Sequence, residues 1–290
     1  LQHLKNQSLD KQNGFILELN RVASLSAARL ALTSGSADMI VSDWLWAGKR
    51  NQDGASLRFI PFSSKVGGVV RKDAMQLSDL TELRGKTIGV AGGPLNKSWI
   101  LLQAAAKAQG VELRKEATIQ FGAPPLLSQA LKRGQLDLLL TFWHYAAKLE
   151  VEGYHQVLSL ENLMAEMGMH SRVPMLGYLF NAEFEKENSE LVSAFDKALK
   201  QTKEQLLTED QHWEVLKPLM KADSPEVFSA LQAGYRKGIP EVMTPLHVED
   251  AQRFYQLIDQ MQPFPEGGAL SGEVFYGITS STEQGSGVKE

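Results

Sequence analysis

The sequence predicts an α/β protein of two similar lobes, each a mainly parallel β-sheet flanked by helices, with a helical C-terminal part. Three observations predict it. Short apolar segments alternate with helical ones as far as about residue 181, which is typical of parallel sheets with helices on their faces. One segment of this pattern occurs twice along the chain. After about residue 188 the remaining periodic segments are helical.

The repeated segment reads ALTSGSADMIVSDWLWA at 31–47 and ALKRGQLDLLLTFWHYA at 130–146. In both copies a helix ends at Ala-Leu, a glycine suited to the left-handed conformation follows, and a short apolar strand leads into an aromatic turn. Ligands of open α/β sheets bind outside the carboxyl ends of strands. We therefore expect the two turns to form facing walls of one cleft, although a glycine and an aspartate after a helix also occur in unrelated αβ units.

Local signals justify the elements one by one. Alternating apolar and polar residues at 15–22 predict a strand. Ser24 is a suitable N-cap for the helix that Gly35 ends, and Pro124 and Pro125 favour a helix start. The predicted strands are 15–22, 39–41, 57–62, 68–72, 86–90, 117–121, 136–140 and 175–181. The predicted helices are 1–8, 25–34, 44–51, 77–83, 98–108, 124–131, 144–150, 188–207, 210–220, 224–236 and 247–261.

The chain is expected to cross twice between the lobes, near 66–72 and 172–177. Two crossings make a hinge, and a hinge permits closure around a ligand. The predicted division places 1–70 and 175–277 in lobe 1 and 71–174 in lobe 2. Residues 278–290 are rich in Ser, Thr, Gly and charge, which predicts a flexible tail.

The composition excludes several classes of protein. The net charge is −4 over 290 residues and no basic stripe is visible, so nucleic acid is not expected as a partner. The chain has no cysteine, which excludes disulfides, thiolate metal sites and a cysteine nucleophile. No apolar run reaches membrane-spanning length. No histidine pair has metal-ligand spacing and no nucleotide-binding glycine motif is complete, so we expect no metal and no cofactor.

Side chains at the strand ends are the candidates for ligand contact. Trp44 and Trp143 occupy corresponding positions in the repeat and would hold a flat ring or cover an alkyl chain, whereas core packing is the alternative. Trp46 and Tyr145, one helical step inside, are assigned to the core. The candidate ligand-binding residues are Ser24, Ser42, Asp43, Trp44, Asn96, Lys97, Ser98, Trp143, His144 and Met175.

The charged and polar candidates leave the sign of the ligand open. Asp43 either caps its helix or faces the cleft, where it would favour an amine. Asn96 and Ser98 either cap the helix after the Gly92-Gly93-Pro94 turn or contact a ligand at its N-terminus, where the helix dipole favours negative charge. His144 would donate to an anion. Because Asp43 and Lys97 carry opposite charges, the residues alone do not fix the ligand's charge.

Four motifs together resemble a known family. They are Ala31-Leu-x-x-Gly-x-x-Asp38, LTELRGKTIGVAG at 80–92, Ala130-Leu-x-x-Gly-x-x-Asp137 with the following Phe142-Trp143, and Tyr235-x-x-Gly238-Ile239-Pro240. In this order and spacing they resemble the NMT1/THI5-like substrate-binding proteins of ABC importers, a group that includes nitrate, sulfonate, taurine and thiamine-pyrimidine binders. The resemblance covers most of 15–276.

The resemblance implies a type II periplasmic-binding-protein-like fold that captures a small organic or anionic solute (sulfonate, nitrate or thiamine-pyrimidine-like) by hinge closure, without catalysis. It implies an ABC permease as partner, a monomeric state, and a periplasmic or lipid-anchored extracytoplasmic location. The family's first strand is absent here, so an N-terminal truncation is expected. Two alternatives remain open: an enzyme resembling the thiamine-pyrimidine synthase, with Lys97 and His144 at a cofactor, and a sensory ligand-binding module.

Overall fold

The computed structural model describes residues 1–261 and 268–278, and these contain eight strands. The strands are β1 Ile40–Ser42, β2 Leu57–Ser63, β3 Gly68–Arg71, β4 Thr87–Ala91, β5 Thr118–Gly122, β6 Leu138–Thr141, β7 His155–Ser159 and β8 Leu176–Asn181. The helices of the first two thirds are α1 Gln2–Asn6, α2 Leu9–Gln12, α3 Leu25–Thr33, α4 Trp44–Gln52, α5 Lys97–Ala108, α6 Leu113–Glu116, α7 Pro124–Lys132, α8 Trp143–Val151 and α9 Leu160–Glu166. The later helices are α10 Ala182–Glu187, α11 Ser189–Thr208, α12 Gln211–Glu214, α13 Lys217–Met220, α14 Pro225–Lys237 and α15 Pro245–Met261. Short 3₁₀ turns occupy Leu80–Leu83 and Gly272–Val274.

The strands form two sheets, the first antiparallel and the second mixed. The first sheet has the order β1-β8-β2, and β8 runs antiparallel to both neighbours. The second sheet has the order β5-β4-β6-β3-β7, in which β5, β4 and β6 are parallel and β3 is antiparallel to β6 and β7. The α/β class is therefore confirmed. The expectation of mainly parallel lobes holds for β4, β5 and β6 and is wrong for the first sheet, because β8 returns from the second sheet in the opposite direction.

Residues 15–22 do not form the predicted strand. Their burial alternates as the sequence indicated: Phe15 and Leu17 pack partly on a core cluster, whereas Ile16 is 77% exposed. Periodicity specifies which side of an extended segment is buried, but a strand also requires a ladder partner. Within the described residues this segment has none. The sequence also failed to predict β7, a short edge strand with polar residues.

The chain changes sheet between Ser63, the end of β2, and Gly68, the start of β3. The predicted boundary after residue 70 therefore falls inside β3 and lies a few residues too late, because the turn residues 64–67 precede that strand. The return crossing precedes β8, which starts at Leu176. The tail predicted at 278–290 lies outside the described residues except for Ile278.

Two C-terminal helices connect the sheets. Helix α15 supplies Phe254, whose ring lies 6.1 Å from that of Trp44, and one contiguous core cluster contains these rings together with strand residues of both sheets. Helix α14 packs on α8 at Gly234, where an added Cβ would lie 2.7 Å from the ring of Trp143. Glycine at this position permits the close approach of the two helices. Both helices thus pack across the region where the lobes meet.

Within the ranges described, no helix combines the length and the apolar character that a membrane crossing requires. The same residues bring no three His, Cys, Asp or Glu side chains together as a metal-binding group.

Candidate functional site

The candidate site lies where β1 and β4 end and helices α4 and α5 begin. Asp43 follows β1 directly and caps α4, since its Oδ1 accepts a hydrogen bond from the Trp46 amide at 3.0 Å. Lys97 is the first residue of α5. The capping interpretation of Asp43 is therefore correct, and its second carboxylate oxygen is left for other partners.

The second oxygen of Asp43 joins two cations. Its Oδ2 lies 2.9 Å from Arg29 Nη2 and 2.7 Å from Lys97 Nζ. The Asp43 side chain is only 5% exposed, whereas those of Arg29 and Lys97 are 26% and 35% exposed. Arg29 belongs to α3, which packs on the first sheet, and Lys97 follows β4 of the second sheet. The three residues, here called the Asp43 cluster, therefore form two ion pairs that share one carboxylate oxygen and connect the two lobes.

The cluster carries one surplus positive charge at neutral pH. Burial raises the pKa of the Asp43 carboxyl, but Lys97, Arg29 and the Trp46 amide together outweigh it and hold that pKa below its ordinary value. Asp43 is thus ionised and neutralises one of its two cationic partners. The sequence left the sign of the ligand's charge open because Asp43 and Lys97 carry opposite charges. The structure shows that these two residues pair with each other.

Arg29 is the member of the cluster that sequence reasoning missed. Its Nε donates to Ser42 Oγ at 3.4 Å, and its guanidinium carbon lies 4.9 Å from the centre of the Trp46 ring. These contacts hold the guanidinium at the end of β1. An arginine in the middle of an amphipathic helix has no distinctive local pattern, so only its position after the Ser24 cap marked it as a neighbour of the site.

Trp44 does not line a cleft, and the expectation that it does is wrong. Its residue surface is 0% exposed, its indole Nε1 donates to the Pro174 carbonyl at 2.8 Å, and its ring packs on Phe254 and Phe275. The first residue of α4 points inward because α15 covers it. Trp46, assigned to the core, is partly buried and packs against the core cluster, and its ring lies beneath Arg29.

The aromatic turn after β6 is arranged differently. Trp143 is half-buried against Gly234 of α14 rather than facing Trp44 across a gap. The His144 ring stacks on that of Phe142 at 6.1 Å. Desolvation, and secondly the Lys148 ammonium, lowers the pKa of His144 below its ordinary value, so the ring is mainly neutral at pH 7. His144 therefore adds no charge to the site, although its N–H can still donate.

The turn before α5 is built mainly by capping. Asn96 Oδ1 accepts from the Ser98 amide at 2.8 Å and the Trp99 amide at 3.2 Å, while its Nδ2 donates to the Ala91 carbonyl at 2.7 Å. The side chain of Asn96 is thus engaged within the protein. The expected ligand contacts of Asn96 and the half-buried Ser98 stay predictions.

Ser24 and Met175 have structural contacts of the same kind. Ser24 Oγ accepts from the Ala27 amide at 3.1 Å and caps α3, which carries Arg29. The Met175 amide donates to the Ser63 carbonyl at 3.0 Å, so the return crossing is fixed to the end of β2. Contact of either side chain with a ligand stays a prediction.

Apolar side chains are exposed at the same edge of the second sheet. Leu95 lies in the turn after β4, Phe121 lies opposite Val90 near the end of β5, and Phe142 follows β6. All three are exposed, Leu95 by 72%. Because neighbouring strands lie only about 4.8 Å apart, the ends of β5, β4 and β6 form one continuous edge. We call Leu95, Phe121 and Phe142 the apolar rim; none of the three is among the ligand-binding residues predicted from the sequence.

Solved structures of several proteins are similar to this one. The alkanesulfonate-binding protein SsuA from Xanthomonas axonopodis pv. citri, bound to MOPS, gives a TM-score of 0.69 at 17% identity over 94% of this chain and 93% of that chain. The periplasmic aliphatic sulphonate-binding protein SsuA from Escherichia coli gives 0.68 at 13% identity over 89% and 83%. The desulfurization enzyme DSZB gives 0.58 at 12% identity over 90% and 89%. A search of curated protein sequences gives no match.

At these identities the likeness shows a common fold, and it confirms the periplasmic-binding-protein-like architecture expected from the sequence. The model of one protein family, described as NMT1/THI5 like, matches residues 11–211, which is more than half of the 290-residue chain. The chain therefore belongs to the NMT1/THI5-like family.

Proposed function

We propose that this protein is the solute-binding component of an ABC importer and captures a small organic anion between its two lobes. The observation that carries the proposal is the Asp43 cluster. It places a surplus positive charge, carried by partly exposed Arg29 and Lys97 side chains, at the carboxyl ends of β1 and β4. This is the position where open α/β sheets bind ligands.

Both cations suit an anionic group. A guanidinium has five N–H donors in a fixed fork, and the Arg29 contacts to Asp43 and Ser42 engage only two of its nitrogens. Lys97 lies at the N-terminus of the 12-residue helix α5, where the helix dipole adds to its charge. An anion between the two would make charge-assisted hydrogen bonds, which are stronger than those between neutral groups.

The apolar rim favours an organic anion over nitrate. Exposed leucine and phenylalanine side chains at the edge that also carries Lys97 offer surface to an alkyl or aryl group. A sulfonate combines one negative charge with such a group. Two of the similar structures are of sulfonate-binding proteins, which supports this choice of ligand.

The proposed mechanism is closure of two lobes about the crossings at 64–67 and before β8. The Lys97–Asp43 contact joins residues from the two sides, so a closed arrangement is favoured by the same charges that attract the ligand. Ligand binding shifts the population toward the closed form, which a membrane permease recognises. The role implies a monomer in an extracytoplasmic compartment.

Calorimetric titration with propanesulfonate, taurine, nitrate and an aminopyrimidine tests the proposal. We expect saturable binding of the sulfonates and weaker binding of nitrate. The variant Arg29→Gln should lose at least about tenfold in sulfonate affinity, since it removes one of two cations, whereas Lys49→Gln on the far turns of α4 should not. Failure of all four compounds to bind, or equal binding by Arg29→Gln, would refute the proposal.

An enzyme on this scaffold is the second candidate, because the fold is shared with a desulfurization enzyme. The synthase-like version would use Lys97 as an amine nucleophile, which must be neutral to react. Here Lys97 Nζ pairs with the buried carboxylate of Asp43 at 2.7 Å, so an imine would form only by breaking that ion pair. An imine absorbance band after incubation with pyridoxal phosphate would support the enzyme and count against solute binding alone.

A further inference from the structure

We propose that Asp43 selects the ligand by its charge, admitting monoanions and rejecting dianions of the same shape. The inference rests on the proposed function and assigns a specificity-determining role to one residue of that site. It follows from the charges that meet at the end of β1, where two cations surround one carboxylate.

The charges of the Asp43 cluster sum to one positive charge. Arg29 and Lys97 contribute two positive charges, Asp43 contributes one negative charge, and His144 is neutral at pH 7. One ligand charge is thus fully compensated. A second ligand charge finds no remaining cation in the cluster and meets the carboxylate of Asp43, which is ionised and lies within 3 Å of both cationic groups.

Burial makes this discrimination strong. The Asp43 side chain is 5% exposed, so water screens its charge much less than it screens a surface carboxylate. Interactions between charges grow as the effective dielectric constant falls. In the closed form, water therefore screens the repulsion between Asp43 and a second ligand charge only weakly. A monoanion, by contrast, is attracted by the surplus positive charge.

The substitution Asp43→Asn isolates this effect. Asparagine has almost the same shape and also caps helices, so its Oδ1 can still accept from the Trp46 amide. The substitution raises the surplus from one positive charge to two. Two cations then lie close together without their carboxylate, so we expect the ligand-free variant to be less stable than the natural protein and to be stabilised more by bound anions.

Propyl sulfate and propyl phosphate are suitable probes, since they share a tetrahedral head and an alkyl group. At about pH 8 the sulfate ester is a monoanion and the phosphate ester is mainly a dianion, because a phosphate ester has its second pKa near 6. We expect the natural protein to prefer the sulfate ester by at least about tenfold. In Asp43→Asn the ratio of the two affinities should move by at least about tenfold toward the phosphate ester.

Two further variants complete the test. Asp53→Asn removes the same charge at the other end of α4, where Asp53 pairs with Arg50 at the surface, and should leave the ratio unchanged. The double variant Asp43→Asn, Lys97→Gln returns the surplus to one positive charge and should again prefer the sulfate ester. If Asp43→Asn does not fold, Asp43→Ser, which also removes the charge and keeps a capping oxygen for the Trp46 amide, should show the same move toward the phosphate ester.

The outcomes separate the two proposals. If the natural protein binds neither ester nor any sulfonate, the proposed function fails. If the natural protein binds propyl sulfate but Asp43→Asn keeps the ratio within about twofold, or if the double variant prefers the phosphate ester, the selection by Asp43 is refuted and the proposed function stands.

Discussion

Replacement of Trp44 by phenylalanine measures how far this residue belongs to the core rather than to a ligand-binding surface. The substitution removes the indole N–H that donates to the Pro174 carbonyl at 2.8 Å. A buried carbonyl left without its donor costs about 1–3 kcal/mol. The smaller ring also leaves a void against Phe254 and Phe275, which costs roughly another 1 kcal/mol. We expect the free energy of unfolding to fall by about 2–4 kcal/mol.

Urea unfolding followed by circular dichroism measures this loss, and calorimetric titration measures sulfonate affinity in parallel. The matched control is Trp46→Phe, since Trp46 is half-buried and phenylalanine keeps an aromatic face beneath Arg29; its cost should stay below about 1 kcal/mol. A Trp44→Phe variant of natural stability with weakened sulfonate binding would refute the placement of Trp44 in the core.

Three further outcomes are expected. Asn96→Ala removes the cap of α5 and should lower the free energy of unfolding by about 1 kcal/mol, whereas Asn96→Asp keeps the acceptor and should cost less; equal losses in urea would contradict capping as the role of Asn96. Gly234→Ala should destabilise the protein by about 1–3 kcal/mol although alanine is the better helix former, because the new methyl group would lie 2.7 Å from the Trp143 ring; a raised melting temperature would show that α14 and α8 do not pack this closely. Burial, as the largest cause, lowers the pKa of His3 below its ordinary value of 6.5, so the unfolded chain takes up a proton before the folded one does. The stability that His3 contributes is therefore complete above pH 6.5 and is lost as the pH falls through the folded-state pKa; His3→Gln should lose less stability between about pH 7.5 and 5 than the natural protein, and identical losses would exclude His3 as the cause.

Much of the fold was predictable because its signals are local. Seven of the eight observed strands lie where apolar runs and turn residues placed them, and the exception is β7. The possible caps at Ser24, Asp43 and Asn96 could also be recognised in the sequence, since a cap needs only a side chain and the amides of the next turn. The segment at 15–22 shows the limit of such signals: its alternating burial is real, but strand formation depends on a partner elsewhere in the chain.

The candidate site was only partly predictable. Asp43 and Lys97 were named from the sequence, but no sequence pattern predicts that their carboxylate and ammonium meet, because they follow strands of different sheets. The two tryptophans of the repeat are alike in sequence and unlike in structure. Trp44 is enclosed by α15, and Trp143 lies against α14, so the difference comes from helices far along the chain.

The sequence by itself determined the α/β class, most of the order of its elements and the family, because periodicity and motif spacing act over short stretches of chain. Only the tertiary structure decided that Arg29 joins Asp43 and Lys97 and that Trp44 is enclosed by the core. It also decided that the cluster at the strand ends carries one positive charge without a carboxylate to balance it. The physical reason is that the energy of a charge or of an aromatic ring depends on what lies within a few ångströms of it, and folding brings those neighbours from distant parts of the chain.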